Sequence, residues 1–594
     1  MQRKTFLDIS QSVTAHRWVE RLDLRSANAA LAMSQKHSVP DLVARIMAGR
    51  GITEDAALDY LNPTIKNLMP DPRGITELAS VAARIVMAIE KRQPVAIFGD
   101  YDVDGACSSA LVSKLLSHFD VPHEIYIPDR IFEGYGPNPN AMEELAARGA
   151  KLIITVDCGT NSAVAIAAGR AAGADVVVID HHQVGGALPD GTAVANPNRE
   201  DDLSGLGNLC AAGVVFMVLV EVTRLLRGTH LKPMPDLLNW LDLVALATVC
   251  DVVPLTGLNR AFVVKGLVVA RKFGNAGIAA LARVSRLGEP LNIYHFGFML
   301  GPRINAGGRI GDAALGAKLL TLADEAEAQA IAEKLDMLNG ERQAMEQVML
   351  AEAETAMGFD LAGGGGPPVI VAANEKWHPG IVGLIAARLK EKARRPAFAI
   401  AFNPNGVGTG SGRSIQGVDL GRLVREAVNA GIVVKGGGHA MAAGITIEKA
   451  KLGDFRAFLE SQTSATVEAL HANAELEIDG ALSAGAATLN LIEQMESAGP
   501  YGSGNPAPML VLPSHRLAHC RVVGKGHVSM TLTALDKSSI QAIAFRAEGT
   551  PLGDFLHHQV GNVIHVAGTL SVNHFNGRRT VQMRVVDASA VSRF

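Results

Sequence analysis

The sequence predicts a multidomain α/β protein that ends in a small β-barrel, and three observations lead to this fold class. The chain has 594 residues, which is too long for a single core and suggests several domains. From about Ile75 onward, short apolar runs alternate with amphipathic helical segments, as in parallel sheets covered by helices. From about residue 475 to the end, short β-like stretches are separated by turn residues, which is typical of a barrel.

The first half of the chain contains one α/β domain. Residues 1–70 are mixed, with a helical segment between Pro40 and Gly49 and a Pro-containing stretch, LNPTIKNLMPDPRG, that suggests a boundary. Residues 71–320 follow, with the predicted strands VAIF, KLIITV and DVVVI separated by helical patterns. Ligands of such sheets bind beyond the carboxyl ends of the strands, so we expect the functional residues there.

The second half contains a connecting helix, another α/β domain and the barrel. Residues 321–360 are rich in Ala, Glu, Met and Leu and predict a long helix, which Asn339 and Gly340 could interrupt. The runs GGGG and PP then mark a hinge into residues 361–465, where the strand PVIVAAN precedes the helix IVGLIAARLKEK. Residues 466–594 form the predicted barrel.

Charge is distributed unevenly along the chain. The net charge of −4 speaks against nucleic acid as a partner, but from Tyr501 to the end nine Lys/Arg stand against four Asp/Glu. A basic C-terminal domain is therefore a candidate for binding an anionic partner.

Three absences in the sequence narrow the class of protein. The longest apolar run, Ala211 to Val220, falls well short of the roughly 20 residues of a membrane span and predicts a buried helix. The N-terminal residues MQRKTFLDISQSV contain no apolar signal segment, so we expect a cytoplasmic protein without a membrane partner. Five scattered cysteines without a CxxC pair argue against a disulfide framework or a thiolate zinc site.

The stretch GDYDVDG places Asp100, Asp102 and Asp104 two residues apart before Gly105. It matches the first half of an EF-hand calcium loop, D-x-[DN]-x-[DN]-G-x5-E. The second half does not match, because Leu111 occupies the position of the closing Glu and a strand precedes the loop. Three carboxylates within five residues repel one another unless a cation binds between them, so we expect a metal site of another kind.

Other acidic residues end apolar runs in the same way. The segment KLIITVD ends in Asp157, DVVVID ends in Asp180 before His181 and His182, and LVALATVCD ends in Asp251. Each residue alone could cap a helix or lie in a polar loop, but together they predict a metal centre at one rim of a sheet. Carboxylates with imidazole suit Mn²⁺ or Mg²⁺, and their number suggests two ions that promote phosphoester hydrolysis.

Two glycine-rich segments could bind phosphate. The segment KGGGH presents successive backbone amides with Lys435 and His439, and GSGRS adds the guanidinium of Arg413. The alternative for both is a tight turn with close packing.

These segments together resemble the DHH phosphoesterase superfamily. GDYDVDG, TVDCGT, IDHHQ and the later Asp251 resemble its ordered motifs, and GGGHAMAAG resembles the signature of its DHHA1 domain. PDRIFEGYGPN, LGPRINAGGRIGD, WHPGIVGLIAARL and GSGRS resemble the bacterial RecJ branch, and the β-rich tail resembles its OB-fold. The resemblance covers nearly everything from about residue 70 onward.

The resemblance implies a role for each matching residue. Metal binding is implied for Asp100, Asp102, Asp104, Asp157, His181 and Asp251. Catalysis at the scissile phosphate is implied for His182, together with Asp180. Substrate binding is implied for Arg130, Arg303, Asn305, Arg309, Ser411, Arg413, Ser414, Gly437, Gly438 and His439. Phe98 departs from the superfamily, in which a histidine often stands near this place.

The resemblance also implies an activity, a 5′ to 3′ exonuclease that degrades single-stranded DNA in repair and recombination. We expect a monomer that uses two Mn²⁺ or Mg²⁺ ions and works beside a helicase and a single-strand-binding protein. A phosphodiesterase acting on short oligonucleotides or cyclic dinucleotides is an alternative, although such relatives usually lack the OB-like tail. A non-catalytic DNA-binding scaffold is a further alternative, which the complete set of Asp and His residues disfavours.

Overall fold

The computed structural model describes residues 3–129, 133–134, 136–229, 232–358, 366–575 and 578–591. The strands are β1 (Arg17–Glu20), β2 (Val95–Gly99), β3 (His123–Tyr126), β4 (Leu152–Val156), β5 (Asp175–Ile179), β6 (Ala193–Ala195), β7 (Ile370–Asn374), β8 (Ala397–Phe402), β9 (Val407–Arg413), β10 (Lys435–Gly438), β11 (Ala442–Glu448), β12 (Glu475–Ile478), β13 (Gly480–Ala481), β14 (Leu510–Val523), β15 (His527–Thr533), β16 (Ser539–Ala544), β17 (Val563–Phe575) and β18 (Arg578–Ala590).

The helices are α1 (Leu24–His37), α2 (Asp41–Ala48), α3 (Ala57–Leu61), α4 (Ile65–Leu68), α5 (Leu78–Glu90), α6 (Val103–His118), α7 (Pro139–Ala147), α8 (Ala163–Ala171), α9 (Ala211–Leu226), α10 (Leu241–Cys250), α11 (Gly257–Ala270), α12 (Ala276–Val284), α13 (Ile293–His295), α14 (Gly301–Ile310), α15 (Leu315–Thr321), α16 (Glu325–Met357), α17 (Val382–Ala393), α18 (Leu420–Asn429), α19 (Leu452–Ala472), α20 (Leu489–Glu496) and α21 (Pro551–His558). A π-helical turn, Phe296–Leu300, joins α13 to α14.

The chain divides into two compact units. One comprises residues 63–345 and 502–505, and the other comprises residues 1–62, 346–501 and 506–594. The long helix α16 is continuous through Asn339 and Gly340 and contributes residues to both units. The predicted hinge at 363–366 lies outside the described residues except for Gly366.

The unit at 63–345 contains the predicted parallel sheet, and its strand order is β3-β2-β4-β5-β6. Strands β2 and β4 are fully buried, because helices cover the sheet on both faces. Helix α9 contains the long apolar run and is almost wholly buried, as expected for a core helix. Within the described part of the chain, we find no helix with the length and apolar character needed to cross a bilayer.

The other unit contains two further sheets. Strands β10-β11-β9-β8-β7 form a mixed sheet in which β7 and β8 are parallel and the remaining neighbours antiparallel. Strands β14-β15-β16-β18-β17 form a barrel that the pairing of β17 with β14 closes. The predicted second α/β domain and C-terminal barrel are therefore confirmed.

The N-terminal residues belong to the same unit as the barrel. Strand β1 pairs in parallel with β12, and Trp18 is fully buried, donating its indole N–H to Asp587 over 2.8 Å. Asp587, in the last third of β18, is also buried and accepts hydrogen bonds from Ser12 and from the amide of Thr14. The N-terminal segment is thus anchored to the barrel through a buried carboxylate, a connection that no local sequence pattern indicates.

Candidate metal centre and substrate contacts

Three of the predicted site residues, two assigned to metal binding and one to catalysis, follow neighbouring parallel strands. Gly99 of β2 is in register with Val156 of β4, which is in register with Ile179 of β5. Asp100, Asp157 and Asp180 come next in the chain and therefore lie side by side at the carboxyl rim of the sheet. All three are buried, at 4%, 2% and 1% exposed.

The loop after β2 carries the other clustered aspartates. Asp102 caps α6 and accepts hydrogen bonds from the amides of Asp104 and Gly105 over 2.9 and 3.1 Å. Gly105 is required by close packing, since a Cβ there would lie 2.3 Å from the carbonyl oxygen of Asp100. The strand–loop–helix arrangement agrees with the rejection of an EF-hand.

Helix α9 holds Asp104 from outside this loop. The two carboxylate oxygens of Asp104 accept hydrogen bonds from the amides of Ala211 and Ala212, over 2.6 and 2.8 Å. These amides open the first turn of α9, where the helix dipole favours a negative charge. Both oxygens of Asp104 are therefore fixed in position within the core.

His181 lies among the carboxylates. Its Nε2 is 3.3 Å from Asp157, 3.7 Å from Asp104 and 3.8 Å from Asp251, which ends α10. Its Nδ1 is 3.1 Å from the carbonyl oxygen of Leu209 and donates its proton there. This hydrogen bond leaves the lone pair of Nε2 directed at the carboxylate cluster, as a metal-ligating histidine requires.

Asp180 and His182 form a second hydrogen-bonded pair at the rim. Nδ1 of His182 donates to Oδ1 of Asp180 over 2.8 Å, and the amides of His181 and Thr160 also donate to this carboxylate. Burial alone would raise the pKa of Asp180, but the hydrogen bond from His182 keeps it below the ordinary range. Burial alone would lower the pKa of His182, and Asp180 raises it to about 9.

The donor atoms fall into three groups whose members lie within 4.8 Å of one another. The groups are Asp100 with Asp102 and Asp157, Asp104 with His181 and Asp251, and Asp157 with His181 and His182. Neighbouring groups share Asp157 or His181, so the cluster is continuous.

The chemistry of the donors fits divalent cations. Burial, together with the neighbouring carboxylates, raises the pKa of Asp104, Asp157 and Asp251 above the ordinary range. Buried carboxylates this close remain ionised only beside positive charge. Carboxylate oxygens with one or two imidazole nitrogens form a hard donor set that suits Mn²⁺ or Mg²⁺.

Two residues of the centre have an uncommon backbone conformation. Asp157 has φ 61° and Val252, next to Asp251, has φ 60°, both in the left-handed region. The conformation is tolerable for Asp but strained for a β-branched residue such as Val. Strain of this kind concentrates at functional sites, where the surrounding structure holds the backbone in place.

The sequence reasoning missed Asn196 and Thr160. Asn196 is fully buried and donates to the hydroxyl of Thr160 over 2.9 Å and to the carbonyl of His182 over 2.8 Å, so it positions the histidine loop. A signal was present, because Asn196 directly follows β6 and thus ends a strand at the same rim.

Phe98 stands near the place where the resemblance led us to expect a histidine. It is fully buried on β2, and its ring centroid lies 5.3 Å from that of Tyr126. It therefore contributes to the apolar packing of the sheet, and the loop carboxylates lie beyond it.

The helix α14 brings further predicted residues next to this loop. Arg303 forms an ion pair with Asp336 of α16 over 2.8 Å. Asn305 has a buried Oδ1 with no hydrogen-bond partner among the described residues. Arg309 lies in the last turn of the helix and is half-buried. Arg130 lies outside the described residues.

Gly308 fixes α14 to the aspartate loop. A Cβ at this position would lie 2.9 Å from Cβ of Tyr101, which stands between Asp100 and Asp102. The AGG segment of LGPRINAGGRIGD thus has a packing role at the metal centre.

The predicted phosphate-binding residues of the other unit lie on two strands of one sheet, β9 and β10, with β11 between them. Ser411 of β9 is in register with Gly444 of β11, which is in register with Gly437 of β10. Arg413 is two residues further along β9, and its Nη1 donates to the hydroxyl of Ser411 over 2.9 Å. The structure therefore brings the two predicted glycine-rich segments together on one sheet.

The end of β10 is the most accessible part of this surface. Gly437, Gly438 and His439 are exposed, and nothing lies within 4 Å of a Cβ built on Gly437. Gly438 has φ 146°, and a Cβ there would lie 2.3 Å from the carbonyl oxygen of Ala442.

Other members of the glycine-rich segments have packing roles. Gly412 is buried, and a Cβ there would lie 2.5 Å from the ring of Phe398. A glycine is therefore needed at this position for core packing. The hydroxyl of Ser414 is buried and donates to the carbonyl of Val418 over 2.6 Å. Ser414 is placed to position Arg413, its neighbour in the chain.

The barrel carries an aromatic and basic cluster. Phe545, which follows β16, is 53% exposed, with its ring centroid 5.1 Å from that of His527. The guanidinium of Arg584 on β18 lies 5.7 Å from the same ring. An exposed ring flanked by a cation is the combination with which OB-folds bind nucleic-acid bases.

Comparison with known proteins first gives the class. The model of the DHH family, N-terminal domain, matches residues 94–248, and the DHHA1 domain model matches residues 366–465. The RecJ OB domain model matches residues 478–587. The fold and the metal centre thus define a protein of the DHH class.

Relatives along the whole chain then give the family. The single-stranded-DNA-specific exonuclease RecJ of Salmonella typhimurium is 32% identical, over 96% of this chain and 99% of that protein. The Escherichia coli protein of the same name is also 32% identical, over 95% of this chain and 98% of its own length. This chain belongs to the RecJ family.

A solved structure agrees with this assignment. RecJ from Thermus thermophilus in complex with Mn²⁺ has a TM-score of 0.77 and 27% identity, covering 96% of this chain and 79% of its own. The same protein in complex with Mg²⁺ has a TM-score of 0.72 and 26% identity, covering 97% and 78%.

Proposed function

We propose that the chain is a metal-dependent exonuclease that hydrolyses the phosphodiester bonds of single-stranded DNA from the 5′ end. The observation that carries the proposal is the position of His181, whose Nε2 lies within 3.8 Å of Asp104, Asp157 and Asp251. The names of the relatives support the choice of substrate.

The donor groups suggest how two ions divide the aspartates. We assign one ion to Asp100, Asp102 and Asp157, and the other to Asp104, His181 and Asp251. Bound Mn²⁺ or Mg²⁺ supplies Lewis-acid stabilisation of the charge that develops on the phosphoryl oxygens. Asp157 lies 3.3 Å from His181 and is the residue placed to join the two groups.

His182 acts on the phosphate directly in this proposal. Asp180 binds its Nδ1–H and keeps the imidazole protonated, so its Nε2–H serves as a donor to a phosphoryl oxygen as negative charge grows there. Asn196 holds the carbonyl of His182 and fixes the loop for this contact.

The other unit binds the strand through its phosphates. Arg413 and Ser411 on β9 offer a guanidinium and a hydroxyl, and the exposed backbone at Gly437 and Gly438 on β10 offers further donor capacity on the same sheet. We assign them, with His439, to the region of the 5′ terminal phosphate. Arg303, Asn305, Arg309 and Arg130 are proposed to contact the strand near the metal centre.

The barrel favours a long substrate over a short one. Phe545 and Arg584 offer stacking and charge beyond what a dinucleotide could use. This disfavours the alternative of a phosphodiesterase for short oligonucleotides or cyclic dinucleotides.

The substrate also suggests a setting. Single-stranded DNA arises during repair and recombination, so we propose that role, a cytoplasmic location, and a helicase and a single-strand-binding protein as partners. We further propose that the chain acts as a monomer, since each chain carries the whole donor set.

The test is cleavage of end-labelled DNA by the purified chain with Mn²⁺ or Mg²⁺. We expect single strands labelled at the 5′ end to release labelled mononucleotides first and blunt duplexes to resist. Equal attack from 3′ ends would contradict the proposed polarity, and equal attack on duplexes would contradict the proposed specificity.

A further inference from the structure

Two exposed aromatic side chains stack on each other near the metal centre. The ring centroids of Tyr294 and Phe298 are 5.1 Å apart, with 26° between the ring planes. Tyr294 is 54% and Phe298 70% exposed, so both rings present large apolar faces to solvent. Exposed apolar surface of this size on a rigid element is informative, because core packing does not explain it.

The helix that carries these rings is firmly held. Between them, His295 and Phe296 are buried, and the chain passes through the π-helical turn Phe296–Leu300. Arg303 donates to the carbonyl of Met299 over 2.7 Å, which satisfies an acceptor within this turn. Turns of this kind are frequent at functional sites, and here the turn leaves the two rings stacked on the surface.

The same helix contacts residues adjacent to the proposed metal ligands. Cys250, which precedes Asp251, lies with its Sγ 3.3 Å from the carbonyl oxygen of Phe296. A Cβ on Gly301 would lie 2.5 Å from that sulfur. Further along, Gly308 packs against Tyr101 of the aspartate loop. From Phe298 to Gly308 the rise of an α-helix gives about 15 Å, the length of roughly four stacked nucleotides.

A cation is attached to the chain shortly before the aromatic pair. Arg271, at the end of α11, is exposed and donates from Nε to the carbonyl of Leu291 over 2.8 Å. This bond fixes its guanidinium three residues before Tyr294. Exposed rings and a guanidinium held to the same segment suit a strand that carries bases on one side and phosphates on the other.

We propose that Tyr294 and Phe298 form a base-stacking platform for the single-stranded substrate a few nucleotides from the metal centre. This inference rests on the proposed function and names a contact that the phosphate-binding residues do not supply. The platform tolerates any base, since every base has a π face, and it favours unpaired bases because paired ones are already stacked.

The test compares a normal strand with one that lacks bases. The full-length chain, its Tyr294→Ala/Phe298→Ala variant and a matched Leu203→Ala variant are measured for binding to fluorescein-labelled dT20 in EDTA, which prevents cleavage. Leu203 is an exposed apolar residue of the same unit, 94% exposed. An abasic oligonucleotide of equal length serves as the second ligand, and Tyr294→Phe/Phe298→Trp serves as the conservative variant.

We expect the double alanine variant to bind dT20 about tenfold more weakly or worse, as loss of one stacked base predicts. Its affinity for the abasic strand should equal that of the unmodified chain, and the conservative variant should retain binding to dT20. Unchanged dT20 affinity, or an equal loss on both ligands, would overturn the inference. An unmodified chain that binds DNA but never cleaves it would instead contradict the proposed function, and the two failures are therefore distinguishable.

Discussion

His182 donates its Nδ1–H to Asp180 over 2.8 Å, and this carboxylate is itself held by backbone amides. Burial alone would lower the pKa of His182, but the Asp180 carboxylate raises it to about 9. A histidine that stays protonated at neutral pH can stabilise charge on a phosphate, which is why we place it at the scissile bond.

Asp180→Asn should lower kcat by about 10²- to 10³-fold, because the uncharged amide no longer stabilises the imidazolium. His182→Ala should cause a loss of similar size, and the double variant should lose little more than either single one. Steady-state cleavage of labelled single strands gives all three values. Losses that multiply in the double variant would show that the two residues act separately.

Arg413→Ala should raise the KM for single-stranded DNA at least tenfold and leave the Mn²⁺ titration unchanged, because Arg413 belongs to the phosphate surface. Arg422→Ala is the matched control, since Arg422 is an exposed arginine of the same unit that pairs with Glu426. A Mn²⁺ midpoint that shifts as much as KM would contradict the assignment.

Phe545→Ala and Arg521→Ala should weaken DNA binding in different ways. Loss of the ring removes stacking, so the free energy of DNA binding should become less favourable by about 1–3 kcal/mol. The slope of log K against the logarithm of the salt concentration should not change. Loss of the exposed Arg521 on β14 removes a phosphate contact and should make that slope shallower by about 0.7. Identical salt slopes for both variants would refute this division of roles.

Asp242→Asn should stabilise the chain in a pH-dependent way. Asp242 is 3% exposed, and burial raises its pKa to about 6. The unfolded chain ionises this group near pH 4, so the folded state is penalised above about pH 6 and the penalty disappears below about pH 4. The variant should therefore gain about 1–3 kcal/mol at pH 8 and nothing at pH 4, with Lys114 offsetting part of the gain.

Urea unfolding of the unmodified and variant chains at the two pH values measures this difference. Asp190→Asn, at an exposed position of the same unit, is the control. A difference that does not change with pH would contradict the assigned burial effect.

The aspartates at strand ends could be predicted because parallel strands end at one rim. Asp100, Asp157 and Asp180 needed only the apolar runs before them, and the register of β2, β4 and β5 places them together. Asn196 directly follows β6 and lies at the same rim. Polar residues after parallel strands therefore indicate the site even when they are not acidic.

Other parts of the site depend on backbone groups, which have no signature in a sequence. Asp104 is held by amides of α9 that are 107 and 108 residues away, and His181 is oriented by the carbonyl of Leu209. Gly412 suggested a phosphate loop, yet it is needed because the ring of Phe398 fills the space of a side chain.

The attachment of the N-terminal segment was also invisible in the sequence. Trp18 and Asp587 are 569 residues apart, and neither position differs locally from an ordinary core residue or strand end. Long-range pairing of this kind depends on which surfaces meet after folding, and local patterns do not encode it.

The central claim is that the carboxylate cluster around Asp157 binds the ions that make the chain a nuclease. Asp157→Asn tests it most directly, because Asn tolerates the left-handed backbone at φ 61° and keeps the size of the side chain. Mn²⁺ binding by calorimetry and cleavage of 5′-labelled single-stranded DNA are measured on the same samples. We predict that the unmodified chain binds two Mn²⁺ ions and degrades the strand, and that the variant loses at least one ion and more than 10²-fold in rate. Undiminished Mn²⁺ binding and cleavage by the variant would contradict the account.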